Sequence, residues 1–202
     1  MTVTIPTNVV LDFWLGDDFP SPDSAGERMR RWFVKDAAAD ARIREQFGEA
    51  IDAALAGAFD DQVVDTRDWL ALLILLDQFT RNVFRDSPRA FAGDDKALAL
   101  TLAGIARGDD QHVHPMARLF CYLPLEHSEE LAMQDRSVEL FRGFSEQASA
   151  DVAPSAEGWL DYAIRHRDVI ARFGRFPHRN VLLGRISTLE ELAYLAEPGS
   201  GF

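Results

Sequence analysis

The sequence has a single cysteine, Cys121, and only two lysines, Lys35 and Lys96. One thiol excludes an intrachain disulfide, and nothing points to an oxidising compartment. Set in Phe120-Cys121-Tyr122, that thiol reads as buried structure rather than as a nucleophile. The scarcity of lysine among 21 basic residues argues against Schiff-base or lysine-base chemistry and leaves nineteen arginines. Long apolar runs are also missing. The longest, Trp69 to Leu76, is eight residues, far short of the roughly 20 that a membrane-spanning helix needs. The first basic residue is Arg28 and no apolar segment of signal-peptide type comes after it, so a cytoplasmic location is expected.

Standard catalytic motifs are absent: there is no G-x-S-x-G, P-loop, H-E-x-x-H, EF-hand loop or dinucleotide fingerprint. His112-Val113-His114 offers two metal ligands without an obvious third, so neither a bound metal nor a cofactor is expected. The net charge of −12 argues against nucleic acid and anionic membrane as partners, since both require a basic surface. The charge is uneven, however. Arg165 to Arg185 holds six arginines and one acid, Asp168, a local +5 in a chain whose remainder carries −17. Such an island can receive an anion or pair with the protein's own carboxylates.

What is present is helical punctuation. At 202 residues with 47% hydrophobic content, the chain is expected to fold as one all-α domain, residues 1–202. Residues 1–26 read as a short helix, Val9 to Leu15, stopped by Gly16 and leading into a loop through Pro20 and Pro22. Ile43, Phe47, Ile51 and Leu55 recur every four residues up to Gly57. Asp65 or Thr66 caps a helix running towards Arg85, and Asp94 opens another that ends before Gly108. Pro115 suits a first helical turn, and Pro124 is expected to break the helix that Pro115 opens. Ser128 to Ala148 reads as a long helix with Leu131, Val138, Phe141 and Phe144 inward. Ser155 or Glu157 to Phe173 reads as another. Ser187-Thr188-Leu189-Glu190-Glu191 holds overlapping capping boxes for a last helix, and residues 197–202 are expected to be a flexible tail. Roughly eight or nine helices with short connections make an array of antiparallel hairpins.

Several polar residues fall on apolar helix faces. Asp77 and Arg81 are spaced to pair on a helix that is apolar nearly all round. His166 lies in the middle of an arc formed by Trp159, Tyr162, Ala163, Val169, Ile170 and Phe173. Glu126 and His127 project onto the apolar half of the helix after Pro124, where an acid near an N-terminus is favoured by the helix dipole. The loop from Phe173 to Asn180 joins Gly174 and Pro177 with Arg175, His178 and Arg179.

Three stretches together resemble a bacterial family known only as domain of unknown function 924. They are Leu75-Leu76-Asp77-Gln78-Phe79-Thr80-Arg81-Asn82-Val83-Phe84-Arg85, then Tyr122-Leu123-Pro124-Leu125-Glu126-His127-Ser128-Glu129, then His166 with Phe173 to Asn180, Leu183-Gly184-Arg185 and Ser187-Thr188. The resemblance extends to Phe13-Trp14 and Trp32-Phe33. It implies a tetratricopeptide-like helical fold and transfers no catalytic residue. One departure is Thr80, where the family pattern often carries proline; without it the helix is expected to run smoothly through Arg81.

The leading expectation is a polar pocket that binds a small anionic molecule or an acidic peptide. Arg81, Arg85, Arg175, Arg179 and Arg185 would donate to the anion. Asp77, Asn82, Glu126, His127, His166, His178 and Asn180 would orient them or the ligand. The alternatives are a hydrolase using Glu126 or His127 as general base, with a metal held by His127, His166 and His178, and an interaction scaffold whose polar cluster only holds the fold together.

Overall fold

The structure is a computed structural model that describes residues 4–21 and 25–201; Pro22 and Phe202, on which two of the loop and tail expectations fall, lie outside the described residues. Among the described residues every regular element is helical. No helix among them is long and apolar enough to cross a membrane. The chain divides into two compact units, Met1–Arg85 with Arg89–Pro124, and Asp86–Pro88 with Leu125–Phe202.

The first unit contains α1 (Thr7–Leu15), α2 (Ala25–Phe33), α3 (Ala37–Leu55), α4 (Thr66–Leu73), α5 (Thr80–Val83), α6 (Asp94–Arg107) and most of α7 (Pro115–Glu126). The Asp65 carboxylate accepts from the backbone N–H groups of Arg67 and Asp68, which satisfies two of the donors that a helix start leaves open. Asp36 does the same for α3. Every residue from Trp69 to Thr80 is buried, so this helical run is the centre of the unit. Phe79 packs edge-on against Trp14 of α1 at 5.4 Å and tilted against Phe47 of α3 at 4.8 Å. On the other side α6 approaches so closely that a Cβ on Gly104 would lie 2.3 Å from the Trp69 ring. The Trp69 indole N–H donates to the Leu100 carbonyl across the same contact at 2.9 Å.

The helix expected from Arg67 towards Arg85 is continuous but not regular. Ile74–Phe79 winds as a π-helical segment between α4 and α5. Thr80 does not break it: its hydroxyl donates to the Leu76 carbonyl at 2.7 Å, a bond internal to the helix. The helix runs on through Arg81 as expected, and the irregular winding lies before it, at Ile74–Phe79. The break expected at Pro124 is corrected, because α7 runs through it to Glu126. A proline near a helix end forfeits one backbone bond and need not stop the last turn.

The second unit is built on α8 (Leu131–Gln147) and α9 (Ala153–Phe173), with α10 (Leu189–Leu195) after them. Phe144 stacks on Trp159 with centroids 5.7 Å apart, and the Arg167 Nε donates to Asp135 at 2.9 Å. Those contacts pair late α8 with early α9 and the reverse, so the two helices form an antiparallel hairpin. Val138, Phe141 and Phe144 are buried as expected, but Leu131 is 41% and Tyr162 51% exposed. Leu131 is the first residue of α8, since the helix opens three residues later than Ser128. The Thr188 hydroxyl and the Glu191 carboxylate cap α10 reciprocally, one of the overlapping boxes in the sequence.

Candidate functional site

Asp77, Arg81, Asn82 and Arg85 belong to the first unit, where each meets a partner of its own chain. Arg81 makes a two-pronged contact with Asp94 at 2.8 and 3.0 Å and sits 3.2 Å from Asp77, which is 1% exposed. Burial opposes the Arg81 charge, but Asp77 and then Asp94 more than offset it and raise its pKa. Arg85 and Asn82 both converge on Asp40 of α3, at 2.5 and 2.8 Å. These are internal closures rather than a row of donors facing a ligand.

Glu126, His127, His166, Arg175, His178, Arg179, Asn180 and Arg185 belong to the second unit. Glu126 is the last residue of α7 and does not open the next helix, which corrects the N-terminal placement. At that helix end the carbonyls collect donors: Gln134 donates to Glu126 O at 2.6 Å, and Arg179 donates to His127 O at 3.0 Å. Arg179 is 6% exposed, and its guanidinium lies 4.5 Å above the Phe176 ring.

His166 occupies the inner face of α9 at 4% exposure. Its Nδ1 lies 2.9 Å from the Tyr162 carbonyl and 3.1 Å from Glu126 Oε1. A carbonyl can only accept, so Nδ1 carries a proton. Burial pushes the His166 pKa down to about 3, the Tyr162 carbonyl opposes, and His127, His178 and Arg179 reinforce the drop. The ring is therefore neutral at pH 7, with its orientation fixed by a buried carboxylate. The His127 ring centroid is 6.4 Å away, Phe176 5.6 Å, and His178 lies 5.5 Å beyond Phe176.

The remaining polar residues hold the loop after α9. Arg175 grips Glu191 at 2.6 and 2.8 Å and donates to the Ile186 carbonyl at 2.9 Å. Arg185 forks onto Glu129 at 2.6 and 3.0 Å, and its Nε donates to Asn180 at 2.9 Å. Asn180, fully buried, donates in turn to Ser187. Burial alone would raise the Glu129 pKa; the bonds from Arg185 and from the Phe176 N–H lower it. Arg175, first, and the Thr188 N–H hold Glu191 down at about 2 against its burial. The carboxylates Asp40, Asp94, Glu129 and Glu191 are not among the site residues that the sequence suggests. Asp94 is legible only as a helix start and Glu191 only as a capping partner, neither as the mate of an arginine.

Among the described residues no three His, Cys, Asp or Glu side chains are placed to share a metal ion. The metal-assisted form of the hydrolase alternative loses its ligand set accordingly. His112 and His114 serve the local backbone, His112 Nδ1 against Gly108 O at 3.0 Å and His114 Nδ1 accepting from Met116 N at 3.2 Å. Burial pushes the Cys121 thiol well above its usual range, consistent with an inert group.

The model of a bacterial protein family of unknown function, domain of unknown function 924, matches residues 10–199. The chain belongs to this family. The match runs across both units and takes in every residue of the two polar clusters. A solved structure of a protein of unknown function from Agrobacterium tumefaciens is similar to this family member at 36% identity. That similarity covers 94% of this chain and 96% of the other, with a TM-score of 0.79. No curated protein matches. The family and the similar solved structure thus support the all-α fold and leave the function to be argued from the side chains.

Proposed function

We propose that this family member binds a small anionic molecule or an acidic peptide end, at a site centred on Glu126, His127, His166, His178 and Arg179. The observation that carries the reading is the buried couple of Glu126 and His166, with Arg179 alongside. Ionisable groups are costly to bury, and clusters of them with shifted pKa values concentrate where ligands are handled. A carboxylate at Nδ1 fixes the plane of the imidazole, while Arg179 supplies positive charge for an anion. Arg175, Asn180 and Arg185 are struts of the loop that carries His178 and Arg179. A cytoplasmic setting belongs to the same reading and is supported by the lone cysteine. So does the tetratricopeptide-like array, for which the α8–α9 hairpin is the supporting element.

A thermal-shift panel of phosphates, carboxylates and acidic peptides tests the site. One anion is expected to stabilise the parent by about 2.7 kcal/mol at a hundredfold excess over its Kd. Arg179→Ala should lose that response, whereas Arg175→Ala should keep it, because the Arg175 guanidinium is already bound to Glu191. A second reading, an interaction module, is favoured by Val181, Ile186 and Leu189, which are 83, 90 and 87% exposed within one short stretch. It stands instead if no anion moves the parent and Arg179→Ala is destabilised without any ligand.

A further inference from the structure

A cavity of about 250 Å³ lies in the second unit between α9 and the segment from Tyr194 to Ser200. Its α9 wall is the stripe Arg165, Asp168, Val169, Arg172 and Phe173, spaced to share one helix face. The far wall is α10's Tyr194 and the turn at Gly199, whose φ of +79° favours glycine. A bond from the Ser200 hydroxyl to the Leu195 carbonyl at 3.1 Å holds that turn. The Phe173 and Tyr194 rings meet at 5.2 Å and give the cavity an aromatic side.

The charges here are of both signs and differ in their commitments. Arg172 bonds Glu190 through Nε alone at 2.9 Å, and its guanidinium lies 4.6 Å over Phe173, so among the described residues its Nη donors remain open. Glu197 forms no ion pair or side-chain hydrogen bond among the described residues. A site with an open guanidinium edge, an uncommitted carboxylate and aromatic walls suits a ligand that carries an anion, a cation and an apolar body. The volume equals about eight water-sized groups at ~30 Å³ each, which suits a ligand the size of a single amino acid. We infer that this cavity is a binding site for a small zwitterion with an aromatic or aliphatic side chain, the class of free α-amino acids. Its carboxylate meets Arg172 Nη, its ammonium meets Glu197, and its side chain lies on Tyr194 and Phe173. This site does not use the Glu126 and His166 couple.

Titration calorimetry with L-phenylalanine, 3-phenylpropionate and 2-phenylethylamine tests the assignment. L-Phenylalanine is expected to bind with Kd on the order of 1 mM or tighter, and each half-ligand at least about tenfold more weakly, the loss expected from one missing charge-assisted contact. Arg172→Ala and Glu197→Gln should each weaken L-phenylalanine about tenfold with Tm unchanged, since both side chains are at the surface. His166→Asn, altered at the other cluster, should bind it as the parent does. No binding of L-phenylalanine, equal binding of 3-phenylpropionate, or binding indifferent to both cavity variants would overturn the proposal. Loss of binding in His166→Asn alone would assign the ligand to the other cluster and overturn it too.

Discussion

Arg81 belongs to the first unit and His166 to the other, and in the sequence both are polar residues on otherwise apolar helix faces. Their surroundings separate them. Arg81 is gripped by Asp94 and Asp77 and stays charged, so its cost of burial is offset inside its own unit. His166 is instead uncharged, its Nδ1–H held by Glu126 and Tyr162, with two further histidines and an arginine nearby. A polar residue on an apolar face is thus buried either as a charge closed by carboxylates or as a neutral group held by a hydrogen bond.

The largest effect that sharpens this contrast is at Arg81. Arg81→Ala leaves Asp77 buried without its guanidinium and should cost about 3 kcal/mol or more, read from the urea midpoint at constant m. A loss below about 1 kcal/mol would mean that the pair is not what holds α5 to the start of α6.

His166 should reveal itself through pH. Its folded pKa of about 3 lies below the ordinary 6.5, so between those values the unfolded chain holds one more proton than the native one. The stability present above pH 6.5 is therefore lost as pH falls towards 3, at up to about 1.4 kcal/mol per pH unit. Glu191, held at about 2, acts in the same direction but only below its ordinary 4.5. The window from pH 6.5 to 4.5 accordingly separates the two. His166→Asn should flatten the profile there by the equivalent of one proton, and profiles that run parallel in the two proteins would refute the neutral buried ring.

The smallest effect is expected at Arg185, whose fork with Glu129 is roughly a quarter exposed on both sides. Arg185→Ala should cost about 1 kcal/mol globally and speed proteolytic cleavage between Val181 and Ser187, because the loop loses its strut. Unchanged cleavage would show that Asn180 and Arg175 suffice to hold it.

Helix starts are legible wherever the signal is local. The carboxylate of Asp65 and the box of Thr188 with Glu191 need only neighbours three residues away. The periodic Ile43, Phe47 and Ile51 find their core for the same reason. The helix α2 escapes the sequence reading because it is short: nine residues leave only Met29, Trp32 and Phe33 to mark its apolar side. The cations of the candidate site are legible by type, but their partners lie 13 residues away for Arg81 and 56 for Arg185, separations that no spacing rule spans. Asp94 and Glu129 are therefore invisible as partners, and so is the cavity beside Tyr194, whose walls join α9 to residues more than twenty positions later.

The wide turn at Ile74–Phe79 also acts as a phase shifter on the central helix. A π-helical bulge holds one residue more than the α-helix it interrupts. Every side chain beyond it is out of step by about 100° with a wheel drawn from Thr66. Thr80, Arg81 and Val83 thus present themselves on bearings that an ideal helix would have given to their neighbours, and Arg81 meets Asp94 from that rotated bearing. One additional residue in the winding, rather than any change in side-chain chemistry, sets that bearing.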